Sequence, residues 1–309
     1  VMSFNNLFGY YGGQLMHIVT WFIVFGWLFK EEGEALGGAQ LFGPAYVPIV
    51  GFCCLLVAVT IFSCAWFTRD RIPYMNEAPH DGEKFSPFRL FRDMWEAIQN
   101  RNYLFLLIGL FFLSVTIGTH ETLSIYIYTF FWELSPFQIG FLAIANLIGF
   151  HLGFFFASVA HKRFDKRWTI VVSAAGLSVF WSTAVTLGLL GFAPANSTLQ
   201  LVVFIIFWSI FSSVFGSVLN ISVMSALADI TDEHEAKTGR RQEGIFYSAR
   251  TFFAKTSNAI GHVVAGIAIE FYVLLPPGSI QGQVPGDVLF RLGVVEGPFA
   301  MVWGLIAAL

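Results

Sequence analysis

One of the long apolar segments carries a lysine near its centre, and the residues at helical spacing from this lysine are polar. The segment reads YSARTFFAKTSNAIGH and covers residues 247–262. At about 100° per residue, its polar side chains share one helix face, within a sector of about 80°. They are Ser248, Thr251, Lys255, Asn258 and His262.

The position of Lys255 needs a physical reason, because an ammonium group in hydrocarbon costs at least ~2.5–3.5 kcal/mol. If the span begins near residue 245, Lys255 lies about 15 Å deep, near the middle of the bilayer. Snorkelling to the headgroups is typical of helix ends rather than of the midplane. We therefore predict that Lys255 faces a binding cavity. The hydroxyls of Ser248 and Thr251 can equally bond back to their own helix, and Asn258 and His262 can equally join two helices.

A second ionisable residue at membrane depth, Glu121, lies in the apolar segment GTHETLSIYIYTFF. An intramembrane carboxylate indicates a functional site by default. Glu121 can take part in proton or cation coupling, accept hydroxyl groups of a sugar, or only hydrogen-bond to a neighbouring helix. The sequence is compatible with each role. His17 and His151 stand alone on apolar segments, and we expect both to be packing residues.

The composition is that of an integral membrane protein. Of the 309 residues, 56% are hydrophobic and 12% are charged, against about 25% charged in soluble domains. The basic residues are dispersed in short segments, so we expect no nucleic-acid partner. The three cysteines and seven histidines lack metal-ligand spacing, and the sequence contains no H-E-x-x-H or G-x-S-x-G motif. We therefore expect neither a metal site nor an enzymatic activity.

Eight apolar segments are long enough to cross about 30 Å of hydrocarbon as helices. They lie near residues 7–29, 45–67, 104–131, 137–160, 168–192, 199–228 and 244–274, and from 296 to the end at 309. None shows the alternation of barrel strands, so the predicted fold class is all-α, a polytopic helical membrane protein. The last helix is expected to be cut short.

Basic residues predict the orientation, because cytoplasmic segments hold the excess of lysine and arginine. Thirteen of the 17 lie within 68–103, 161–167 and 229–243. Both ends of the chain are therefore expected on the cytoplasmic side of a plasma membrane, which in a bacterium is the inner membrane.

The segment 68–103 is a long, charged, proline-containing connection, and we predict that it is a cytoplasmic central loop. Within it, FRLFRDMWEAIQN has the spacing of an amphipathic surface helix. Residues 1–67 are then the last two helices of an N-terminal bundle, and 104–309 form a six-helix C-terminal bundle. About four further N-terminal helices of the same protein are the expected partner of this chain.

The residues around the sixth and seventh predicted spans resemble a known family. They form the patterns D-x-x-D-x-x-E, K-T-G-x-R-x-E-G, Y-S, T and K. The matching residues are Asp229, Asp232, Glu235, Lys237, Gly239, Arg241, Glu243, Gly244, Tyr247, Ser248, Thr251 and Lys255. This pattern resembles the glycoside-pentoside-hexuronide:cation symporters, the melibiose-permease-like branch of the major facilitator superfamily.

The resemblance implies twelve helices in two bundles around a central site, with this chain supplying about helices five to twelve. It implies that Lys255 lies near the cation and sugar sites, with Thr251 one turn away. Where melibiose-type members carry a sugar-stacking tryptophan, this sequence has Asn220. Combining the resemblance with the polar stripe, we predict a substrate and cation cavity. It comprises Lys255, Thr251, Ser248, Asn258, Tyr247 and Glu121.

The charged connection between these two spans is a candidate cytoplasmic gate. An ion-pair latch between its acidic and basic ends would close that side, and the resemblance favours this interpretation. The alternative is a solvated loop whose exposed pairs contribute about 0–1 kcal/mol. The gate residues would be Asp229, Asp232, Arg240, Arg241 and Glu243.

The function expected from these features is secondary active transport. A coupling cation, Na⁺ or H⁺, would drive a small polar solute, most plausibly a sugar or glycoside, across the lipid bilayer by alternating access. No other cofactor is expected. The alternative is a lysophospholipid-like amphiphile carried by the same fold, which the many phenylalanines would suit. A membrane-embedded enzyme is less compatible with the sequence, and a purely structural scaffold gives no reason for Lys255.

Overall fold

The computed structural model describes residues 2–34, 36–74, 87–239 and 242–309. Within these ranges the chain is helical and contains no strand. The helices are α1 Met2–Ile18, α2 Lys30–Glu34, α3 Tyr46–Thr68, α4 Pro87–Ile98, α5 Arg101–Tyr126, α6 Pro136–Arg163, α7 Lys166–Leu189, α8 Leu199–Thr238, α9 Glu243–Ala268, α10 Gly286–Val294 and α11 Ala300–Ile306. Segments of π-helix continue α1 over Val19–Leu28, α5 over Ile127–Phe131 and α9 over Ile269–Val273, and another joins α10 to α11 over Val295–Phe299.

Seven helical segments in the described part of the chain are long and apolar enough to cross a membrane. They are Gly43–Tyr74, Arg101–Phe131, Pro136–Arg163, Lys166–Leu189, Leu199–Thr238, Glu243–Val273 and Gly286–Ile306. The prediction of an all-α membrane protein is therefore confirmed. The first of the eight predicted spans, near 7–29, is helical but is not among these seven.

Two predicted boundaries were wrong. The last span begins at Gly286 rather than near 296, because Val288 and Leu292 already pack into the core. The stretch from 229, expected to be a loop, instead continues α8 as far as Thr238. Gly239 ends this helix with φ +67°, a left-handed conformation in which glycine is favoured.

Local sequence signals explain where several helices begin. Ser135 and Gln138 form a reciprocal capping box at the start of α6. The side chains of Asp165 and Thr198 accept hydrogen bonds from the first backbone amides of α7 and α8. These caps fix short turns between successive spans, so neighbouring helices run antiparallel.

Small residues let the helices pack closely in pairs. The main pairs are α6 with α8, α5 with α9, and α7 with α8. A Cβ added to Gly149 or Gly153 of α6 would lie 2.5 Å from a backbone oxygen of α8. A Cβ on Gly118 of α5 would lie 2.2 Å from the backbone oxygen of Asn258 in α9. Close backbone approach of this kind is how membrane helices gain packing contacts without a hydrophobic driving force.

Apolar clusters close the bundle at both ends. One contains Leu123 and Ile127 of α5 together with the beginnings of α6 and α8. The other contains Tyr103 and Leu107 of α5 together with the end of α8 and the beginning of α9. The predicted amphipathic helix is formed as α4, and it buries Met94 and Ala97 in this second cluster. The middle of the bundle, between the clusters, is where a cavity lies.

Candidate functional site

A cavity of about 780 Å³ opens in the middle of the bundle, between α1 and helices α5 to α9. Its wall is mixed. One part is apolar and includes Leu113, Ile117 and Trp181, whereas another carries amides, hydroxyls and charged groups. A concave site of this size with a few polar groups on an apolar wall is typical of small-molecule binding.

Lys255 lies on the wall of this cavity, where α9 also contributes Arg250, Ala254 and Asn258. Its side chain is exposed. Among the residues that the structure describes, no carboxylate forms an ion pair with Lys255. The polar face of α9 therefore presents an ammonium group to the cavity, with its charge available to another group.

A polar cluster joins α5 to α9 about one helical turn beyond Lys255. The amide nitrogen Nδ2 of Asn258 donates to Oε2 of Glu121 at 3.1 Å. His262 Nε2 lies 3.7 Å from the same carboxylate oxygen, and its Nδ1 lies 2.7 Å from the hydroxyl of Thr122. Both Glu121 and Asn258 line the cavity, and the side chain of Glu121 is 52% exposed. The cluster can exchange hydrogen bonds with a solute, since its carboxylate has free acceptor positions.

The position of this cluster depends on two glycines. Gly118 of α5 faces the backbone of Asn258, and Gly261 of α9 faces the backbone oxygen of Val115. A Cβ at Gly261 would lie 2.3 Å from that oxygen. Only glycine permits this separation of the two helices.

The other predicted cavity residues of α9 do not line the cavity. Ser248 and Thr251 are exposed, and the Thr251 hydroxyl donates to the Tyr247 carbonyl at 2.8 Å, a bond back to its own helix. Tyr247 is half-buried against the second apolar cluster. The polar stripe therefore divides into a cavity-facing part, from Lys255 onward, and a part nearer the helix start that faces elsewhere.

The predicted gate residues occupy helix ends. Asp229 accepts a hydrogen bond from Lys166 of α7 at 2.6 Å, so its ionic partner lies on α7. Asp232 is exposed, and Glu243 lies in the first turn of α9. Arg240 and Arg241 lie outside the described residues.

Several residues of the cavity wall were not predicted from the sequence, among them Arg250, His17 and Asn220. Arg250 lies on the wall, and its Nε is buried without a hydrogen-bond partner among the described residues. His17, expected to be a packing residue, also lines the cavity. Asn220, noted only for replacing a tryptophan, is a wall residue too. Arg250 lies five residues before Lys255, roughly 140° away around the helix, so helical spacing from Lys255 gave no signal of its position.

A buried histidine–carboxylate pair beside the cavity was also not predicted. His120 Nδ1 contacts Oε1 of Glu296, whose side chain is only 2% exposed. Glu296 lies in GVVEGPFA, where no helical periodicity indicates that this carboxylate points inward. His120 itself lines the cavity, so the pair connects the buried interior with the wall.

No group of three or more histidine, cysteine or acidic side chains in the described ranges could hold a metal ion. The candidate site therefore consists of single charges and hydrogen-bonding groups on a wall of helices. Such a site binds by charge and hydrogen bonding.

Comparison with known proteins gives the family. The sequence pattern of the family described as MFS/sugar transport protein matches residues 1–302. A protein of Synechocystis sp. (strain ATCC 27184 / PCC 6803 / Kazusa), described as an uncharacterized symporter, is 28% identical over 228 residues. The alignment covers 71% of this chain and 40% of that protein, so the chain spans less than half the length of this relative. The chain therefore belongs to the MFS/sugar transport protein family and is an integral membrane protein.

Proposed function

We propose that the complete protein is a cation-coupled symporter of a small polar solute, a sugar or glycoside, which binds in the central cavity. The observation that carries this proposal is the position of Lys255 on the cavity wall without an ion-pair partner among the described residues. A charge at this depth is costly, so its presence there indicates a function. The relative described as a symporter supports the same class of function.

Lys255 would act as a charge that changes partners. Its ammonium group needs an anionic counter-charge in the closed cavity. When the coupling cation neutralises an anion of the cavity or its surroundings, the ammonium is released and can reorient toward the solute. Cation and solute then stabilise the same state of the cavity, which is the thermodynamic requirement for coupling.

The solute would bind through hydroxyl groups. The Glu121 carboxylate can accept hydrogen bonds from hydroxyl groups, while the amides of Asn258 and Asn220 can both donate and accept hydrogen bonds. The ring of Trp181 supplies an apolar surface on the same wall. Since the wall also includes leucine and isoleucine side chains, a lysophospholipid-like amphiphile is the second candidate.

We further propose that the protein resides in a plasma membrane with its basic connections in the cytoplasm. There, the short basic turn between α6 and α7 and the α8–α9 connection would face the same side. Asp229 and Lys166 would then form part of the cytoplasmic closure.

Transport by the complete protein in proteoliposomes tests the proposal. Labelled lactose, xylose, glucuronate and lysophosphatidylcholine are each screened by counterflow, and gradient-driven accumulation is then measured for the active compound. Lys255→Ala should abolish accumulation, a loss of at least about tenfold, since losing about 1.4 kcal/mol of coupling is a factor of ten. Lys255→Arg keeps the charge and should retain part of it.

The matched control is Thr256→Ala on the same helix. Thr256 is exposed but does not line the cavity, so this change should leave accumulation near the wild-type value. Unchanged accumulation in Lys255→Ala would contradict the proposal. Counterflow of lysophosphatidylcholine without sugar counterflow would instead select the amphiphile.

A further inference from the structure

Glu296 is a buried carboxylate in the apolar interior of the bundle. Its Oε1 contacts Nδ1 of His120, whereas its Oε2 is buried with no hydrogen-bond partner among the described residues. An ionised carboxylate in such surroundings is stable only when it is paired and fully hydrogen-bonded. Half of its acceptor positions are therefore unused, and a proton can occupy one of them.

The local backbone directs the Glu296 side chain into the interior of the bundle. Val295–Phe299 is a π-helical segment between α10 and α11, and it contains Pro298, which cannot donate a backbone hydrogen bond. π-Helical segments interrupt the regular side-chain spacing of a helix and occur often at functional sites. The inward direction of Glu296 thus results from this interruption.

The pair is connected to the cavity through His120. The imidazole lines the cavity wall and lies 4.0 Å, centroid to centroid, from the ring of Trp181. Behind it, a void of about 30 Å³ is bounded by the pair and by Ser209 and Ser212. Most of the lining side chains are apolar or aromatic, but a void of this size with several polar groups on its wall can hold a water molecule. A proton can therefore pass between the cavity and the buried carboxylate along hydrogen-bonding groups.

We propose that His120 and Glu296 form a proton-binding site and that the coupling cation of this transporter is H⁺. This inference rests on the proposed function, because it names the ion that drives the solute. Uptake of one proton changes the pair from a net charge of about −1 to neutral, with the proton on the carboxyl group and the neutral imidazole as its hydrogen-bond partner. The two groups titrate as a unit.

Other ionisable groups surround this pair and would sense its change of charge. α7 and α8 contribute the uncharged Trp181, Ser209 and Ser212. The titratable and charged groups on the wall of the cavity or of the void are Tyr128 and Glu121 from α5 and its extension, Tyr10 and His17 from α1, and Arg250 and Lys255 from α9. Neutralising the pair removes a negative charge beside the cavity and thereby changes the electrostatic potential at the cavity wall, where Lys255 lies.

The chemistry of the pair favours a proton over Na⁺. Hard metal cations bind through several oxygen ligands, whereas here the nearest partner of the carboxylate is an imidazole nitrogen. Imidazole is the side chain whose charge changes near neutral pH. A histidine–carboxylate pair therefore responds to pH rather than to the concentration of Na⁺.

Infrared difference spectroscopy of the complete protein, recorded between acidic and alkaline pH, tests this site without any solute. Wild type should show the carbonyl band of a buried protonated carboxyl group that disappears as the pH rises. Glu296→Gln should lose this band and take up about one proton fewer in a parallel potentiometric titration. Glu296→Asp keeps a carboxyl group and should keep a titrating band at a shifted frequency.

Glu270→Gln is the matched control, because Glu270 is an exposed glutamate beyond the end of α9, and the band should be unchanged. His120→Asn should shift the midpoint of the band, and it covers the case in which Glu296→Gln does not fold. An unchanged midpoint, or a band lost in Glu121→Gln instead of Glu296→Gln, overturns the proposal. Solute counterflow is measured separately, so an inactive transporter and an absent proton site give different results.

Discussion

Two charged side chains in this bundle are held in opposite ways. Lys255 lies on the cavity wall, exposed and without an ionic partner among the described residues. Glu296 lies a short distance outside the cavity, sealed in the interior and bound to His120. Both would be expensive in plain hydrocarbon. The protein stabilises one charge by access to the cavity and the other by an internal partner.

This difference determines what each charge can do. A charge without an internal partner can bind and release external groups, so its interactions depend on what occupies the cavity. A buried pair has its partner already, and only the gain or loss of a proton changes it. In the two proposals above, α9 exchanges ligands, and the contact between α5 and the α10–α11 junction binds the proton.

The largest effect on stability is expected when the buried pair is broken. His120→Leu leaves Glu296 with neither oxygen hydrogen-bonded, and loss of one member of a buried pair costs about 3–5 kcal/mol when the other stays charged. The free energy of unfolding should fall by this amount at alkaline pH and by less at acidic pH, where the carboxyl group binds a proton. Thermal unfolding in detergent at both pH values measures it.

Two further variants sharpen this prediction. The double change His120→Leu with Glu296→Met removes both charges and should recover most of the lost stability. Lys255→Met leaves no described partner unpaired, so the unfolding temperature should stay near that of wild type. A loss for Lys255→Met as large as that for His120→Leu would remove the distinction between the two charges.

The second effect concerns the spacing of α5 and α9, which positions Asn258 and Glu121. Gly118→Ala would place a Cβ 2.2 Å from a backbone oxygen of α9, so the helices must separate. Overpacking of this kind costs about 1–3 kcal/mol. Solute counterflow should fall with it, because the Asn258–Glu121 hydrogen bond is lost. Gly266→Ala on α9 is the control, since nothing lies within 4 Å of a Cβ there, and equal losses in both variants would contradict the steric explanation.

Much of this arrangement could be predicted from the sequence. Length and hydropathy gave the positions of the membrane helices, because a helix that crosses lipid must satisfy its backbone internally. The angular position of Lys255 followed from the helical period alone, and the structure places it on the cavity wall. The described residues that carry the resemblance to the symporter family lie at the end of α8 and in the first half of α9, with Gly239 just after α8.

What the sequence could not give depends on tertiary contacts or on irregular backbone. Thr251 and Ser248 share the helical face of Lys255, yet neither lines the cavity, whereas Arg250, roughly 140° away around the helix, does. Helical spacing predicts the direction of a side chain around the helix axis, but it does not predict which neighbouring helix packs against that side chain. Glu296 was missed because a π-helical segment changes the spacing around it, and its partner lies 176 residues away. Periodicity cannot detect either feature.

The smallest expected effect comes from a third charge pair, at the water-exposed end of the bundle. Asp229 and Lys166 lie 2.6 Å apart, but their side chains are 60% and 38% exposed. Solvent screening limits such pairs to about 0.2–1 kcal/mol. A double-mutant cycle with Asp229→Asn and Lys166→Met should give a coupling energy in this range, which decreases with added salt. Asp232→Asn, which removes an exposed carboxylate of the same helix end, is the control and should show no coupling to Lys166. A coupling energy as large as that of the buried pair would mean that this end of the bundle closes tightly enough to exclude water.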